Sequence, residues 1–504
     1  MATGTVSDDA VGAALQNQTW RLLIGDQLCA AADGRTEPVV DPSTGQKIAD
    51  VPWAGPADVD AACKAGQKAF PAWAALTVRE RAKHLKEFAR LIGENADELA
   101  LLDSVDSGNP LSAMRVEANI SIDHIENWCA LASTLNGAVI PASRDNLHYT
   151  TYRPYGVVAR IFPFNHPLLF AVTRPIASLL AGNTCVLKPA EQTPLVALRL
   201  GELALEAFPP GVVNILTGGG EAGDALVRHP LVRRIGFIGS TKIGRLIQRT
   251  AAEEAVKNVT LELGGKNALI VMPDADFQAT VAGAVYGMNL GVSQGQSCGS
   301  TSRVFVHESL YEDFVDAVAA RFREVRVGRA YDDGTDMGPV VSGVQLDRVN
   351  HYIDVSREQA RLVTGGGRPD GLDEGFFVEP TVFADVPRDA IIATEEIFGP
   401  VVAISPWSDY DEVIEAANSV EYGLTGSVWT QDLTLAHRTA ERLDAGYVWI
   451  NGAATHYWGT PFGGTKESGL GREESIEELT SYLEQKVTHV GLGDPHTAFA
   501  RLAR

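Results

Sequence analysis

Short apolar runs alternate with amphipathic stretches from about residue 155 onward. The segments between these runs have the apolar spacing of helices, and the strand-like runs are YGVVARIFPF, NTCVLKPA, GVVNILTG, VRRIGFIG and NVTLELGG. A β-α-β-α order of this kind is typical of a parallel, doubly wound sheet that is covered by helices. We therefore predict an α/β fold.

A second series of strands and helices begins near residue 267. Its strand-like runs include NALIVM, STSRVFVH, PVVAISPW and GYVWING. Residues 56–106, which precede both series, have the spacing of helices throughout. The pattern thus predicts helices followed by two α/β units, without a short-period repeat.

Composition excludes several classes of partner. The chain has 504 residues, of which 45% are hydrophobic and 21% charged, and its net charge is −22. Such a charge disfavours unspecific binding to nucleic acid. The most apolar region, residues 156–187, is interrupted by Arg160, His166 and Arg174, so it falls short of the roughly 18 apolar residues of a membrane span. We expect neither a nucleic-acid nor a membrane partner.

The five cysteines, Cys29, Cys63, Cys129, Cys185 and Cys298, are scattered along the chain. Their spacing suggests neither a disulfide framework nor a zinc site. The first 20 residues lack the basic and apolar regions of a signal peptide. We therefore expect a cytoplasmic protein without a bound metal.

One cysteine lies in unusual surroundings, the segment SQGQSCGSTS. Cysteine is commonly buried among apolar residues, but Cys298 is flanked by small and polar ones. Small neighbours would let a substrate and backbone N–H groups approach a thiolate nucleophile. The alternative is a surface cysteine without a role, and the local sequence does not decide between them.

Two further residues are candidates for chemistry. Glu262 lies inside the apolar run VTLELGG, where it is either a buried acid with a raised pKa, suited to general base catalysis, or a residue on a solvated strand face. Asn165 in FPFNHPLLF can donate two N–H bonds, which suits an oxyanion hole, or it is a turn residue before a helix.

A glycine pattern, Gly218-x-Gly220-x-x-Gly223, follows one strand and precedes a helix. This is the setting of a dinucleotide fingerprint. However, the fingerprint belongs to the first strand–helix turn of its sheet, and this match comes after several strands. We favour a glycine-rich loop at a sheet edge over a pyrophosphate site.

Taken together, these segments resemble the aldehyde dehydrogenase superfamily across nearly the whole chain. The matching motifs, in the order of that family, are PFNHP, VLKPAEQTP, GFIGSTKIGR, LELGGKN, GQSCGS, EEIFGPVV and TPFGGTKESGLGRE. The resemblance implies a Rossmann-type cofactor-binding domain (1–129 and 155–261) and an α/β catalytic domain (262–474). It also implies a β-strand oligomerisation arm (130–154 and 475–495) in a homodimer or homotetramer.

The resemblance also implies an activity, the NAD(P)-dependent oxidation of an aldehyde to a carboxylic acid. Cys298 matches the nucleophile of the family, Glu262 the base that activates the deacylating water, and Asn165 the oxyanion amide. NAD is the expected cofactor, with NADP possible. A CoA-acylating enzyme is an alternative, against which Glu262 argues. A catalytically silent protein is another, against which the intact set of three residues argues.

Cofactor contacts are implied at eight positions. Lys188 and Glu191 match the residues that hold the adenine-side ribose, Ser240 matches the pyrophosphate contact, and Glu396 matches the partner of the nicotinamide ribose. The full set is Phe164, Lys188, Glu191, Gly239, Ser240, Gly264, Glu396 and Phe398. One position departs from the family: Arg174 replaces a lysine that is thought to relay protons. Arginine cannot accept a proton near neutral pH, so a relay would run elsewhere, for example through Glu473.

Two segments are expected to line the substrate tunnel. Their candidate residues are His166, Phe170, Thr173, His456, Tyr457, Trp458 and Phe462. Neither segment contains a lysine or arginine before Arg174, so a substrate carboxylate would lack a partner. We therefore expect an uncharged aromatic or medium-chain aliphatic aldehyde as substrate. Alternatively, several of these rings pack into the domain interface.

Overall fold

A computed structural model describes residues 11–12, 14–15 and 19–492 of the protein. Most of the segment in which we looked for a signal peptide, and residues 493–495 of the predicted arm, lie outside these ranges. The strands are β1 (Leu22–Ile24), β2 (Gln27–Cys29), β3 (Thr36–Asp41), β4 (Gln46–Pro52), β5 (Asn146–Pro154), β6 (Val157–Ile161), β7 (Thr184–Lys188), β8 (Val213–Ile215), β9 (Val232–Ile238), β10 (Asn258–Glu262), β11 (Ala268–Val271), β12 (Arg303–His307), β13 (Arg361–Thr364), β14 (Thr381–Ala384), β15 (Val401–Trp407), β16 (Tyr422–Gly423), β17 (Thr425–Trp429), β18 (Tyr447–Ile450), β19 (Thr465–Lys466), β20 (Gly469–Leu470) and β21 (Leu483–Gly491).

Helices connect and cover these strands. The α-helices are Pro56–Ala75, Val78–Glu94, Ala96–Ser107, Leu111–Ala132, Pro167–Thr173, Ile176–Ala181, Leu195–Ala207, Gly220–Arg228, Thr241–Glu254, Phe277–Tyr286, Leu290–Ser293, Tyr311–Glu324, Gly343–Ser356, Ile391–Thr394, Tyr410–Asn418, Leu433–Arg442 and Ile476–Ser481, and Glu308–Leu310 is a 3₁₀ turn. Thr77 begins the second helix with a capping box, since its hydroxyl accepts from Glu80 N while the Glu80 carboxylate accepts from Thr77 N.

The first sheet has the strand order β2-β1-β8-β7-β6-β9-β10-β20. Strands β6 to β10 pair in parallel, whereas β1, β2 and β20 are antiparallel to their neighbours. Parallel strands of this kind are covered on both faces. In agreement, Val157, Val158 and Ala159 in β6 are all fully buried.

The second sheet has the order β13-β14-β15-β12-β11-β17-β18 and is parallel except for β13. Buried Val, Ile and Phe side chains fill both of its faces. The α/β class, the helices before the first sheet and the two series of strands that the sequence predicts are therefore all present.

Strand β20 comes late in the chain but lies at the edge of the first sheet, next to β10. Leu261 and Glu262 in β10 pair with Leu470 and Gly469 in β20. The contact continues beyond the strands, because Leu263 N donates to Ser468 O at 2.9 Å and the Ser468 hydroxyl donates to Gly264 O at 2.7 Å. A segment that follows the second sheet in the chain thus completes the edge of the first.

Strands β5 and β21 form a separate two-stranded antiparallel ribbon, with nine residue pairs from Asn146↔Gly491 to Pro154↔Leu483. Several apolar side chains on and beside it are exposed, namely Val139, Ile140, Leu147, Val487, Val490 and Leu492. An exposed apolar ribbon is a surface that association commonly covers.

Two segments with the continuous spacing of one helix are interrupted. The segment PLLFAVTRPIASLLAG forms two helices rather than one, because Pro175 lacks the N–H that would continue the first one. The segment 275–290, for which the sequence favours one long helix, forms a helix that ends at Tyr286, and a four-residue helix follows from Leu290. Asn289 between them has φ +55, which interrupts a right-handed helix.

All five cysteines are free. In the described part of the chain, no helix combines the length and the apolar character that a bilayer crossing requires. Within those same residues, no group of three or more His, Cys, Asp or Glu side chains is placed to hold a metal ion.

Candidate active site

Cys298, Glu262 and Asn165 line one cavity of about 300 Å³. They come from three separate parts of the chain: the end of β10, the loop after β6, and the loop before β12. The carboxyl ends of the parallel strands β6 and β10, which carry Asn165 and Glu262, lie at one edge of the first sheet, where α/β proteins bind their ligands. Cys298 reaches the same cavity from the loop that precedes β12 of the second sheet.

The loop that carries Cys298 is tightly constrained. Gln294 and Gly295 both have positive φ angles, and a Cβ on Gly295 would lie 2.4 Å from Gly399 O. The Asn267 side chain donates to Cys298 O at 2.7 Å and to Ser300 O at 2.8 Å. Asn267 belongs to the LELGGKN segment, so the segment that supplies Glu262 also positions the cysteine.

Glu262 is a buried acid without partners. Its side chain is 4% exposed, and both carboxylate oxygens are fully buried without a hydrogen bond among the described residues. Burial, together with the charge of Glu473, raises its pKa well above the ordinary value. The alternative of a solvated strand face is wrong, since Thr260 on the same face is also buried.

A hydrogen bond to its backbone carbonyl fixes the position of Asn165. Asn109 Nδ2 donates to Asn165 O at 3.1 Å, and the next helix is anchored by Asp103, which accepts from Leu168 N at 2.8 Å. Among the described residues, the Asn165 amide nitrogen donates to no group. It is therefore available to an oxygen in the cavity.

The surroundings of Cys298 favour the neutral thiol over the thiolate. Burial and the charges of Glu396 and Glu262 raise its pKa to about 12. A nucleophile of this kind needs a base that removes its proton. Glu262, whose charge acts on the thiol and whose oxygens are unpartnered, is placed to be that base.

A second cavity of about 420 Å³ adjoins the first, since Phe164, Gly239 and Ser240 line both. Lys188 and Glu191 lie on its wall, as do the apolar side chains Val227, Ile243 and Leu246. Ile243 and Leu246 are each 41% exposed. Exposed apolar side chains opposite a carboxylate and an ammonium form a surface that fits a nucleotide base and its ribose.

Ser240 is the N-cap of helix Thr241–Glu254, and its hydroxyl accepts from Ile243 N at 3.4 Å. A helix N-terminus offers free N–H groups to phosphate. This helix begins where the two cavities meet, so a pyrophosphate that links an adenosine to a nicotinamide ribose fits here.

The Gly218–Gly223 loop is not at a sheet edge, because β1 and β2 extend the sheet beyond β8. Gly219, Gly220 and Gly223 line the larger cavity. A Cβ on Gly220 would meet nothing within 4 Å. The edge interpretation is therefore wrong, and the loop forms part of the wall of this cavity.

Glu396 lines the first cavity, the one that contains Cys298. Its Oε1 accepts from Gly265 N at 3.0 Å, and burial raises its pKa to about 7. Phe398, with φ +62, places its ring 5.7 Å from that of Phe164. All eleven predicted catalytic and cofactor-binding residues thus line one or both cavities.

Arg174 lies in a buried charged cluster beside Phe170. Its guanidinium is 2.9 Å from Glu473 and 3.5 Å from Glu474, and Glu473 also pairs with Arg160 at 2.8 Å. These two arginines lower the pKa of Glu473 although its burial acts in the opposite direction. A carboxylate that is held ionised in this way is a poor proton donor.

The predicted tunnel residues do not all reach the cavity. Only Phe170 among them lines it. His166 packs on Phe170 at 5.4 Å, whereas Thr173 is buried and bonds to Leu169 O. The other four lie outside the cavity lining: the rings of His456 and Phe462 contact each other at 4.5 Å, Trp458 packs against Trp128 and His124, and Tyr457 is 58% exposed.

Sequence reasoning missed several residues at the site. Gln345 and Arg348 line the cavity and donate to the carbonyls of residues 396 to 398, which fixes that segment. Asn109 and Asn267 hold the backbone of Asn165 and Cys298. Asn267 lies in LELGGKN, the motif that also contains Glu262, so the sequence could have indicated that Asn267 lies near the active site.

Comparison with known proteins decides the family, because residues 29–488 match the aldehyde dehydrogenase family. The chain belongs to this family. It is 45% identical to the aldehyde dehydrogenase tropH of Talaromyces stipitatus, covering 94% of this chain and 93% of that protein. It is 44% identical to a hydroxyisobutyraldehyde dehydrogenase of Mycolicibacterium austroafricanum, again covering 94% and 93%.

Solved structures agree with this family assignment. The NAD+ complex of an aldehyde dehydrogenase from Bacillus cereus superposes with a TM-score of 0.93 at 40% identity, covering 97% of this chain and 100% of that one. The predicted family, the α/β fold and the enzyme class, an NAD(P)-dependent aldehyde dehydrogenase, are confirmed.

Proposed function

We propose that this aldehyde dehydrogenase oxidises an uncharged aldehyde to its carboxylic acid with NAD+, through a thioester on Cys298. The observation that carries the proposal is the single cavity in which Cys298, Glu262 and Asn165 meet, next to a larger one that fits a dinucleotide. The overall reaction consumes aldehyde, NAD+ and water and releases acid, NADH and a proton.

The first step is attack by the Cys298 sulfur on the aldehyde carbon. Glu262 takes the thiol proton, which the thiol pKa of about 12 makes necessary. The carbonyl oxygen becomes an oxyanion, which accepts hydrogen bonds from the Asn165 amide and from the Cys298 backbone N–H. Donors that are already in place lower the barrier, because they need not reorganise as the charge develops.

NAD+, when bound, supplies the hydride acceptor. Lys188 and Glu191 would hold its adenine-side ribose, Ser240 its pyrophosphate and Glu396 its nicotinamide ribose. NAD+ is bound in the structure of the Bacillus cereus relative. A carboxylate at Glu191 favours two ribose hydroxyls over a 2′-phosphate, which it would repel, so we expect NAD to be preferred over NADP.

Deacylation follows with Glu262 as general base. After Glu262 has released the thiol proton to solvent, its carboxylate removes a proton from a water molecule that attacks the thioester carbon. The C–S bond then breaks, the acid leaves, and the Cys298 sulfur takes the proton from Glu262, which restores the thiol. A raised pKa suits an acid to this task near neutral pH. The CoA-acylating alternative would not need this base, so the buried, unpartnered Glu262 favours hydrolysis.

The chain is proposed to divide as the sequence indicates. The first sheet and its helices would bind the cofactor (1–129 and 155–261), the second would carry the cysteine (262–474), and the β5–β21 ribbon would be an oligomerisation arm. The exposed apolar side chains of the ribbon support a homodimer or homotetramer. Light scattering at micromolar concentration measures this directly, and a monomer would contradict it.

The decisive experiment is NADH formation from an aldehyde without CoA. Cys298→Ala is expected to abolish it while leaving NADH binding, followed by fluorescence, within about twofold of the parent enzyme. Cys63→Ala is the control, since Cys63 is buried far along the chain in helix Pro56–Ala75. Turnover of Cys298→Ala within tenfold of the parent enzyme would exclude the mechanism.

The substrate class is tested with a panel of aldehydes. Around the cavity, Arg174 is already paired with two glutamates, and Arg348 donates to the backbone carbonyls of Glu396 and Ile397. Neither guanidinium is therefore free for a substrate carboxylate. Benzaldehyde or hexanal is expected to exceed succinate semialdehyde in kcat/KM by at least about tenfold, which corresponds to ~1.4 kcal/mol. A preference for succinate semialdehyde would exclude an uncharged substrate.

A further inference from the structure

A cavity of about 270 Å³ lies at the end of the second sheet that the catalytic cavity does not use. Cys298 precedes β12, so the catalytic cavity is at the amino ends of the parallel strands of this sheet. The other cavity, here called the distal cavity, is at their carboxyl ends, bordered by Phe305 of β12, Val386 after β14 and Trp407 of β15. The proposed mechanism assigns no role to it.

The distal cavity lies where the connections of two neighbouring strands leave to opposite faces of the sheet. Strands β12 and β15 are adjacent and parallel. The helix Tyr311–Glu324, which follows β12, packs against Val304. The helix Tyr410–Asn418, which follows β15, packs against Phe305 on the other face, since successive side chains of a strand point to opposite faces. Such a switch point at the carboxyl ends of the strands is where open α/β sheets bind ligands.

Apolar side chains form most of the wall of the distal cavity. They are Phe305, Val386, Pro387, Pro406, Trp407 and Val413. The indole of Trp407 is fixed, because its Nε1 donates to Val271 O at 3.2 Å. A wall of this kind, with a few polar groups, fits a compact apolar or aromatic ligand.

A buried guanidinium adjoins the distal cavity. A recess of about 10 Å³, lined by Arg303, shares Phe305, Arg388, Ser405 and Ala416 with the distal cavity. Arg303 is 4% exposed. Its guanidinium donates to three backbone carbonyls, those of Lys266, Ala416 and Ala417. In the part of the chain that the structure describes, no carboxylate pairs with it.

The charge of Arg303 is only partly balanced. Ala416 and Ala417 lie in the last turn of helix Tyr410–Asn418, and the C-terminus of a helix carries about half of a negative elementary charge. Roughly half of the positive charge is therefore left without a counter-charge. Because an unbalanced buried charge is costly, an anion bound beside Arg303 would be stabilised.

Arg388 lines both the recess and the distal cavity with a second guanidinium. Its side chain is 54% exposed and pairs at 3.2 Å with Glu412, which is 67% exposed. Exposed ion pairs of this kind contribute little, so Arg388 can exchange Glu412 for a ligand. The carboxylate that lines the distal cavity, Asp385, is already held by Arg361 at 2.6 Å and by the Tyr311 hydroxyl at 3.0 Å.

We propose that the distal cavity binds a small carboxylic acid with an apolar or aromatic body. The carboxylate would lie between Arg303 and Arg388, and the body against Trp407 and the two prolines. Acids of this class are what the proposed reaction releases, but binding at the distal cavity does not depend on that reaction. An acid bound there leaves the catalytic cavity free.

The test is a calorimetric titration of the cofactor-free enzyme with 4-fluorobenzoate. Arg388→Gln removes one charge at an exposed position, so the protein should still fold, whereas Arg303 is left intact because it bonds to three backbone carbonyls. The variant is expected to bind 4-fluorobenzoate at the distal cavity at least about tenfold more weakly, or by ~1.4 kcal/mol. Any binding of the same acid in the catalytic cavity should be unchanged.

Arg321→Gln is the matched control. Arg321 is 57% exposed and pairs with Glu324 at 3.2 Å, so the substitution makes the same change of charge at a similar surface pair. It should leave the affinity for 4-fluorobenzoate unchanged.

Two further measurements address the ligand class and its location. The amide 4-fluorobenzamide has the shape of the acid but no charge, and it should bind at least about tenfold more weakly. In crystals soaked with 4-bromobenzoate, the anomalous signal of bromine should lie in the distal cavity, beside Trp407.

Three results would overturn the proposal. They are an absence of bromine signal from the distal cavity, an equal affinity of the parent enzyme and Arg388→Gln for 4-fluorobenzoate, and an equal affinity of the parent enzyme for the acid and its amide. Since binding is measured without turnover, an enzyme that oxidises no aldehyde would contradict the proposed function alone.

Discussion

Replacement of Glu396 by glutamine should stabilise the protein while weakening cofactor binding. Glu396 is a partly buried acid that accepts one hydrogen bond, from Gly265 N at 3.0 Å, and desolvation raises its pKa to about 7 from an ordinary 4.5. Glutamine keeps the shape and an oxygen for that bond. It removes the charge that the proposed mechanism needs for the nicotinamide ribose.

The size of the effect follows from the pKa shift. A carboxyl with a raised pKa binds its proton more tightly in the folded state, so stability is lost as pH rises from 4.5 to about 7. At about 1.4 kcal/mol per pKa unit, the ionised Glu396 carboxylate lowers the free energy of unfolding by about 3 kcal/mol above pH 7. This is an upper bound, because Glu396 contacts the cavity and water screens part of its charge.

The assay is urea unfolding of the cofactor-free enzyme at two pH values. Glu396→Gln should gain about 1 kcal/mol at pH 5 and about 3 kcal/mol at pH 8 relative to the parent enzyme. Glu358→Gln, at an exposed position, is the control and should gain nothing. The same Glu396→Gln protein should have a raised KM for NAD+. A variant that is no more stable at pH 8 than at pH 5 would refute the reasoning.

Two further predictions concern Glu262 and the cofactor. Glu262→Gln should slow deacylation by about 10² to 10⁴, the usual contribution of a general base, and should slow acylation less, because the thiol can also lose its proton to solvent. Stopped-flow should then show a burst of NADH followed by slow turnover; equal slowing of both phases would contradict a role of Glu262 in deacylation. NAD+ should exceed NADP+ in kcat/KM, and Glu191→Ser should narrow that difference because it removes a charge that repels a 2′-phosphate; equal efficiencies in the parent enzyme would contradict this role.

Much of the architecture could be predicted because each strand of the parallel sheets is a short apolar run. Runs such as Val157–Ile161 and Thr184–Lys188 are buried on both faces, so their hydrophobic character is continuous and visible in the sequence. The hairpin of β1 and β2 was missed because each strand has only three residues. That omission led to the wrong expectation that the Gly218–Gly223 loop lies at a sheet edge.

The candidate site could be predicted in part, through motifs that include its reactive groups. Motifs do not show long-range contacts, so the sequence could not reveal that Asn109 holds Asn165 or that Gln345 and Arg348 hold the segment with Glu396. The tunnel was expected to be free of charge because only two segments were considered. Arg348 lines the cavity from a third, the helix Gly343–Ser356, where an arginine resembles any other polar residue of an amphipathic helix.

Strand β20 restricts how this enzyme can move during a catalytic cycle. Its backbone bonds to β10 run directly beside Glu262, and Ser468 adds two more bonds to the residues that follow. The Ser468 hydroxyl also accepts from Gly423 N at 2.8 Å, two residues before β17 of the second sheet, so a wide hinge between the two sheets would have to break the bonds of Ser468 beside the proposed base. We therefore expect the cofactor to enter and leave through small movements of the cavity walls, with the two sheets moving as one body. Limited proteolysis or hydrogen exchange should then show the β10–β20 junction as one of the slowest regions to open, with or without bound NAD+.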